Sequence, residues 1–255
     1  MFVLGVDIGS TACKGVVINE EKKIVASAII PSGTGTSGPQ KLTEELKAKC
    51  GLDLKDYDKV VATGYGRMKY EEADKQISEL TCHAKGVAFL VPGVRTIIDI
   101  GGQDAKAIKV DSRGRMENFV MNDKCAAGTG RFLDVMSKVL ETEVANLEKL
   151  DAKSENPVSI SNTCTVFAES EVISHLSNEV AVEDIVAGIH NSTAKRVASL
   201  AKRVGVKDII VMVGGVAQNG GVVRAMEETL GAEIVVPENA QLTGAIGAAL
   251  AGLEI

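Results

Sequence analysis

Aromatic side chains are scarce in this sequence of 255 residues, which contains no tryptophan, three tyrosines and five phenylalanines. Proteins that bind single-stranded nucleic acid stack bases on aromatic rings, and proteins that bind duplexes neutralise phosphates with clustered basic residues. Here the formal net charge is −6, and lysine and arginine are scattered along the chain. We therefore expect no nucleic-acid partner.

Long apolar runs are also missing, since no segment approaches the roughly 18 apolar residues that span a bilayer. The opening residues, MFVLGVDIGSTACKG, contain neither a basic leader nor a small-residue cleavage site. The apolar and charged fractions, 45% and 24%, are those of an ordinary folded protein. We expect a cytoplasmic protein without membrane contacts, whose five cysteines stay reduced.

The familiar nucleotide-binding signatures are absent or misplaced. No Gly-Lys dipeptide occurs, so the sequence has no P-loop. The segment GTGTSG at 33–38 fits the dinucleotide pattern G-x-G-x-x-G, but Pro31 and Pro39 flank it. The strand predicted before it belongs to a run of hairpins rather than to a βαβ unit. A nucleotide would have to be bound by another architecture.

An internal repeat suggests that architecture. Residues 6–18, VDIGSTACKGVVI, and 98–110, IDIGGQDAKAIKV, both read Asp-Ile-Gly, four further residues and Lys between apolar positions. Each predicts a strand, a glycine turn and a second strand. Both segments begin comparable stretches of strands and helices, which indicates a duplicated lobe. We place the first lobe at 1–93 and the second at 94–255.

The chemistry of these turns favours phosphate. Glycine allows the backbone to approach closely, so that successive N–H groups can point at a phosphate oxygen. An aspartate at the strand end can hold a metal ion or its waters, and Lys14 adds a positive charge. A third turn, Gly214 and Gly215, joins a strand to a helix that begins near Gly220. The sugar and base of a nucleotide could lie on a junction of this kind. The alternative is that Gly9 and Gly101 only make hairpin turns.

Two of the five cysteines lie in polar turns just ahead of predicted helices. Cys125 follows NDK and precedes AAGTG, and Cys164 follows SNT. The positive end of a helix dipole favours thiolate, so both are candidate metal ligands. An iron–sulfur cluster normally takes four thiolates, and a two-fold symmetric dimer would supply the second pair. A zinc site at Cys82 and His83 lacks the usual ligand spacing, and for Cys50 and Cys82 we expect simple burial.

Six segments carry a resemblance to a known family: GVDIGSTACKGVV, ATGYGR, IIDIGGQDAK, NDKCAAGTGRFLDVM, NTCTVFAESEVISHL and VMVGGVAQNGGVVRAM. The sequence resembles the ATPases that activate 2-hydroxyacyl-CoA dehydratases, the component A proteins of the BadF/BadG/BcrA/BcrD ATPase family. The first and third segments alone would indicate only the wider superfamily of actin, sugar kinases and Hsp70. The two cysteine segments narrow it to the activators.

The resemblance implies an α/β fold of two ribonuclease-H-like lobes with a nucleotide in the cleft between them. It implies a homodimer in which Cys125 and Cys164 of each chain hold one shared [4Fe–4S] cluster, with ATP and Mg2+ in each subunit. It also assigns residues to the first phosphate loop (Gly9, Ser10, Thr11 and Lys14), the second phosphate loop (Gly101, Gly102 and Gln103) and the nucleoside end (Gly214, Gly215 and Asn219).

The function expected from the resemblance is ATP-driven donation of one electron to a 2-hydroxyacyl-CoA dehydratase or a related iron–sulfur reductase. Reduced ferredoxin or flavodoxin would supply that electron. We expect Gln103 to orient the hydrolytic water, and Asp7 and Asp99 to join the Mg2+ shell. Two alternatives stay open: a sugar or carboxylate kinase of the same superfamily, and a redox sensor whose ATP site is structural.

Overall fold

The computed structural model describes all residues from 1 to 255 and contains two five-stranded sheets. The strands of the first sheet are β1 Phe2–Ile8, β2 Cys13–Asn19, β3 Ile24–Ile30, β4 Lys59–Thr63 and β5 Lys75–Gln76. The strands of the second sheet are β6 Thr96–Ile100, β7 Ala105–Val110, β8 Met116–Asn122, β9 Ile210–Val213 and β10 Ile234–Val235.

Eight α-helices accompany the strands, namely α1 Gly38–Cys50, α2 Glu79–Leu90, α3 Gly130–Val139, α4 Val144–Asp151, α5 Thr165–Ser177, α6 Val182–Val204, α7 Gly220–Leu230 and α8 Thr243–Gly252. None of them is both long enough and apolar enough to cross a membrane.

The two sheets share one topology. The first has the order β3-β2-β1-β4-β5 and the second the order β8-β7-β6-β9-β10. In each, the first two strands form an antiparallel hairpin and the fourth runs parallel to the first. The repeat seen in two short segments is therefore a repeat of a whole sheet, and the predicted α/β fold of two similar lobes is confirmed.

The first compact unit comprises Met1–Val94, Val110–Glu117 and Gln241–Ile255. Its central strand β1 is buried on both faces, as expected for a strand covered by helices. Leu4 packs towards Leu42 and Leu46 of α1, whereas Val3 packs towards α8. The hydrophobic core of this unit therefore lies in two layers, one on each side of the sheet.

The C-terminal helix α8 belongs to the first unit, whereas the division into 1–93 and 94–255 assigns it to the second lobe. Small residues explain its place. A Cβ on Gly5 of β1 would collide with the α8 backbone at Ala245 and Ala249, and one on Gly86 of α2 would collide with the carbonyl of Thr243. Glycine at both positions lets α8 approach the strand and helix closely.

The second compact unit comprises Arg95–Lys109 and Asn118–Ala240. Its central strand β6 is fully buried, and helix α6 packs against both α4 and α7. The sequence predicts a strand near 158–160, but this segment is not a strand. Val158 instead donates its N–H to the carbonyl of Asp184 and lies against Gly188 of α6, away from any sheet edge.

Candidate functional site

The two Asp-Ile-Gly hairpins place an aspartate directly opposite a lysine. Asp7 faces Lys14 across β1 and β2, and Asp99 faces Lys106 across β6 and β7. The lysine Nζ lies 3.4 Å from the Oδ2 atom of Asp7 in the first pair and 3.2 Å from that of Asp99 in the second. The spacing of Asp and Lys in the repeat thus encodes an ion pair beside the turn of each hairpin.

The hairpin turns are built alike. Gly9 donates its N–H to the carbonyl of Ala12 at 3.1 Å, and Gly101 donates to that of Asp104 at 2.9 Å. A Cβ at Gly9 would lie 2.7 Å from the Ala12 oxygen, and one at Gly101 would lie 2.7 Å from Asp104 Oδ1. The backbone clash favours glycine at position 9, whereas at position 101 the Asp104 side chain could turn away. The tips of both turns carry the partly or fully exposed residues Ser10, Thr11, Gly102 and Gln103.

Both aspartates are nearly buried, with 6% of Asp7 and 3% of Asp99 exposed. A glycine with positive φ abuts the Oδ1 side of each carboxylate, Gly64 beside Asp7 and Gly214 beside Asp99. Magnesium prefers carboxylate oxygens and keeps several waters, and strand-end carboxylates fit that role through Oδ1 or through water. On Oδ2, each carboxylate already faces a lysine.

The second hairpin is tied to helix α3. Gly101 accepts a hydrogen bond from Gly130 N at 2.9 Å, and Gly102 accepts one from Arg131 N at 2.8 Å. In the first unit the carbonyl of Gly9 accepts from Thr34 N at 2.9 Å, so GTGTSG is the first unit's counterpart of the Cys125 turn. The predicted phosphate loop is thereby bonded to the first residues of the helix that follows Cys125.

Gly214 and Gly215 follow β9 as predicted, and Asn219 caps the helix that begins at Gly220. The Asn219 Oδ1 atom accepts a hydrogen bond from Val222 N at 3.1 Å, and its Nδ2 lies 3.3 Å from His190 Nε2. His190 is a site residue that the sequence does not single out, because nothing in the spacing of a lone histidine within an amphipathic helix points to Asn219.

The two predicted cluster cysteines come together. Cys125 Sγ lies 3.9 Å from the carbonyl oxygen of Thr163, the residue before Cys164. Both thiols are partly exposed, and Cys164 is the N-cap residue of α5. Asn122 holds the Cys125 turn by donating to the carbonyls of Cys125 at 2.9 Å and Ala127 at 3.2 Å. The two thiols thus lie on adjacent turns.

This arrangement fits half of a four-thiolate cluster. No group of three or more histidine, cysteine or acidic side chains that could hold a metal ion occurs in the structure. Of the other cysteines, Cys13 and Cys82 are buried, and burial raises the pKa of each thiol to about 11, which disfavours a thiolate ligand. Cys50 is partly exposed, but its thiol donates to the carbonyl of Leu46 within α1. Cys125 and Cys164 are therefore the two candidate ligands of one chain.

A support for the Cys164 turn escapes sequence analysis. The carboxylate of Glu171 accepts a hydrogen bond from Ser161 N at 2.6 Å, and Ser192 of α6 donates its hydroxyl to Ser161 O at 2.9 Å. The segment before Cys164 is thus held by α5 on one side and α6 on the other. No spacing rule reveals the second contact, because 31 residues separate its partners.

Comparison with known proteins identifies the family. Residues 4–252 match the BadF/BadG/BcrA/BcrD ATPase family. The chain belongs to this family.

Two members of the family are well over half identical to this chain. The 2-hydroxyisocaproyl-CoA dehydratase activator of Clostridioides difficile is 63% identical over 98% of this chain and 94% of its own length. The (R)-2-hydroxyglutaryl-CoA dehydratase activating ATPase of Acidaminococcus fermentans is 55% identical over 98% of this chain and 96% of its own length.

Solved structures agree with this assignment. The structure of the Clostridium difficile activator with bound ADPNP superposes with a TM-score of 0.97 at 62% identity, over 100% of this chain and 95% of that one. A ROK family glucokinase from Streptomyces griseus superposes with a TM-score of 0.62 at 12% identity, over all of both chains, and shows the fold alone. The BadF/BadG/BcrA/BcrD ATPase chain described here thus shares its fold with that glucokinase.

Proposed function

We propose that this protein is an ATP-hydrolysing electron donor that activates a 2-hydroxyacyl-CoA dehydratase or a related iron–sulfur reductase. The observation that most supports this proposal is a pair of hydrogen bonds, which Gly130 and Arg131 of α3 donate to the carbonyls of Gly101 and Gly102. They connect the second phosphate loop to the helix that follows Cys125. A nucleotide-dependent movement of the loop would therefore be passed through the start of α3 to the turn that carries Cys125.

The nucleotide is ATP with Mg2+, in line with the activator structure that holds ADPNP. The two hairpin tips supply backbone N–H groups for the phosphates, Lys14 adds a cation, and Gly214, Gly215 and Asn219 receive the nucleoside. Asp7 and Asp99 hold Mg2+ or its waters. Gln103 is exposed at its hairpin tip, so its amide is free to orient the attacking water.

The second cofactor is one [4Fe–4S] cluster, held by Cys125 and Cys164 of two chains in a homodimer. When bound, it stores and passes a single electron at low potential. The chain's own contribution is to hold the two thiols on adjacent turns, Cys125 through the hydrogen bonds of Asn122 and Cys164 as the N-cap residue of α5. Ferredoxin or flavodoxin in the cytoplasm supplies the electron.

The surface around Cys164 supports the homodimer. On α5, Val166 and Phe167 are each 64% exposed and Ile173 is 49% exposed. Three large apolar side chains on one short helix cost free energy in water and mark an interaction surface. A second copy that completes the cluster would cover them.

A small-molecule kinase of the same superfamily is the weaker candidate. The relatives matched at more than half identity are dehydratase activators, and the glucokinase likeness concerns the fold alone. A kinase also has no use for two partly exposed cysteines that converge beside Thr163. An ATP-binding redox sensor would keep the cluster but show negligible ATP turnover.

The test is purification without oxygen, followed by assays of iron, sulfide and ATP hydrolysis. We expect about four irons per two chains, as one [4Fe–4S] cluster requires, and ATP-dependent reduction of the partner enzyme. Cys125→Ser should lose the cluster, whereas Cys50→Ser, which changes a thiol that bonds within α1, should keep it. Protein free of iron in the wild type would refute the proposal, and iron-free ATP turnover that depends on a sugar would favour the kinase.

A further inference from the structure

The ring of His190 is fully buried in the second unit where α4, α6 and α7 meet. On one side its Nδ1 lies 3.1 Å from Asp151 Oδ1, and on the other its Nε2 lies 3.3 Å from Asn219 Nδ2. A Cβ at Gly221 would collide with the ring and lie 2.9 Å from Asp151 Oδ2. Glycine at 221 is therefore what allows the histidine to reach both partners.

The contacts of the Asn219 amide determine which nitrogen of the His190 ring carries a proton. Because Asn219 Oδ1 accepts from Val222 N at the start of α7, its Nδ2 must be the group that faces the ring. The amide Nδ2 can only donate, so Nε2 of His190 must accept. The ring proton is then on Nδ1, which lies 3.1 Å from Asp151 Oδ1. Rotating the amide would break the helix cap as well as this contact.

Asp151, on the other side of the ring from Asn219, is itself held by a charged side chain. Arg224 of α7 places Nη2 2.8 Å from Asp151 Oδ2, and its Nη1 lies 3.7 Å from Glu148 Oε1. Burial alone would raise the pKa of Asp151, but the contacts with His190 and Arg224 outweigh it and lower the pKa. The carboxylate is therefore ionised at neutral pH. Its charge favours a proton on Nδ1, although the 3.1 Å contact between Nδ1 and Asp151 Oδ1 does not have hydrogen-bond geometry.

We infer that His190, held by Asp151, is a positioning residue that fixes the side-chain amide of Asn219 at the nucleoside end of the site. This rests on the proposed function, which assigns Asn219 to the nucleotide. An asparagine at a surface samples several rotamers, whereas this one is held at both amide atoms. A group fixed before the ligand arrives loses less conformational entropy on binding.

The first test compares nucleotide affinities by titration calorimetry of the intact protein purified without oxygen. His190→Ala should weaken ADP about tenfold, which is the order of one lost polar contact, and change inorganic tripolyphosphate less than about twofold. His190→Gln should recover most of the ADP affinity, because the glutamine carbonyl can accept from Asn219 in place of Nε2. His175→Ala on α5 is the matched control and should leave both affinities unchanged.

Equal losses for ADP and tripolyphosphate, or no rescue by glutamine, would overturn the inference. A wild-type protein that binds no adenine nucleotide would overturn the proposed function first and this assignment with it. A wild type that binds ADP as tightly as His190→Ala does would overturn the assignment alone.

The second test needs no variant and so is independent of any folding defect. The chain has three histidines, which makes assignment of their ring nitrogens by NMR practicable. We expect the Nε2 of His190 to resonate as an unprotonated nitrogen and Nδ1 as a protonated one at neutral pH. Observation of the Nε2–H tautomer, or of a doubly protonated ring, would contradict the network.

Discussion

At the scale of single residues, the cysteines differ in burial, and we expect them to differ in reactivity for that reason. Cys13 is 0% and Cys82 1% exposed, and burial raises the pKa of both thiols to about 11. Cys125 and Cys164 are both partly exposed, and Cys164 is the N-cap residue of α5. The same residue type therefore serves as core packing in the first unit and as candidate ligand in the second.

This contrast predicts a labelling order. In cluster-free folded protein at pH 8, iodoacetamide should modify Cys125 and Cys164 first, because only about one in a thousand thiols with a pKa near 11 is ionised there. Cys13 and Cys82 should react only after denaturant is added. Peptide mass spectrometry over a time course reads out the order, and rapid labelling of Cys82 in the folded protein would contradict it.

The two ion pairs of the repeat differ in burial, which predicts unequal costs. The side chain of Lys106 is 3% exposed and contacts Asp99 and Asp104, whereas that of Lys14 is 21% exposed. Lys106→Met should lower the free energy of unfolding by about 3 kcal/mol, since it removes a buried cation that contacts the buried carboxylate of Asp99. Lys14→Met should cost about 1 kcal/mol, because water reaches that pair more easily.

Urea unfolding of the two variants, followed by circular dichroism, measures this difference. Each variant serves as the control for the other, since both remove the lysine from the same position of the repeat. Equal costs would show that the surrounding protein, and not burial of the pair, sets the stability of the hairpin.

At the scale of elements, helix α6 joins the parts of the candidate site that lie in the second unit. His190 contacts Asn219 at the nucleoside end, and Ser192 donates to Ser161 ahead of Cys164. Further along, the stem of Arg196 packs against Gly128 of the Cys125 turn, where a Cβ would lie 2.8 Å from Arg196 Cγ. Helix α6 thus contacts Asn219, which is proposed to receive the nucleoside, and the turns that carry Cys125 and Cys164.

Loss of the Ser192 contact should loosen one of these turns. Ser192→Ala leaves the Ser161 carbonyl without its donor, at a cost of about 1 kcal/mol. We expect the iron of the purified protein to be lost severalfold faster to a chelator, with little change in ADP affinity. Ser199→Ala is the matched control, because Ser199 donates only to Arg196 of its own helix. Equal rates of iron loss in the two variants would contradict a role for α6 in holding the Cys164 turn.

The helices and hairpins differ in how much of them the sequence reveals. The hairpins were predictable, because alternating apolar residues, Asp-Ile-Gly and the following lysine all act within about ten positions of each other. The contacts of His190 with Asn219 and of Ser192 with Ser161 span 29 and 31 residues, and depend on how α6 packs. The place of α8 is likewise decided by steric fit between glycines distant in the chain. Interactions between residues that are close in the sequence can be predicted from it, whereas contacts that depend on the packing of distant segments cannot.

At the scale of the whole molecule, the proposed homodimer would account both for the pair of cysteines in each chain and for the exposed apolar side chains of α5. The proposed cluster takes a second pair of cysteines besides Cys125 and Cys164, and the exposed Val166, Phe167 and Ile173 lie on the helix that Cys164 caps. Cluster binding and dimerisation would therefore be linked, so that each stabilises the other.

This linkage predicts that a single charged side chain introduced on α5 abolishes both cluster binding and dimerisation. Phe167→Glu should give a monomer without iron, because burying an unpaired carboxylate against a second copy costs several kcal/mol. The variant should still bind ADP, since Phe167 belongs to neither hairpin nor to the nucleoside turn. Val25→Glu, which places the same charge at a 44% exposed position of β3, should remain dimeric and keep its iron. Light scattering and iron assays decide the matter, and a dimeric, iron-loaded Phe167→Glu would place the subunit interface away from this surface of α5.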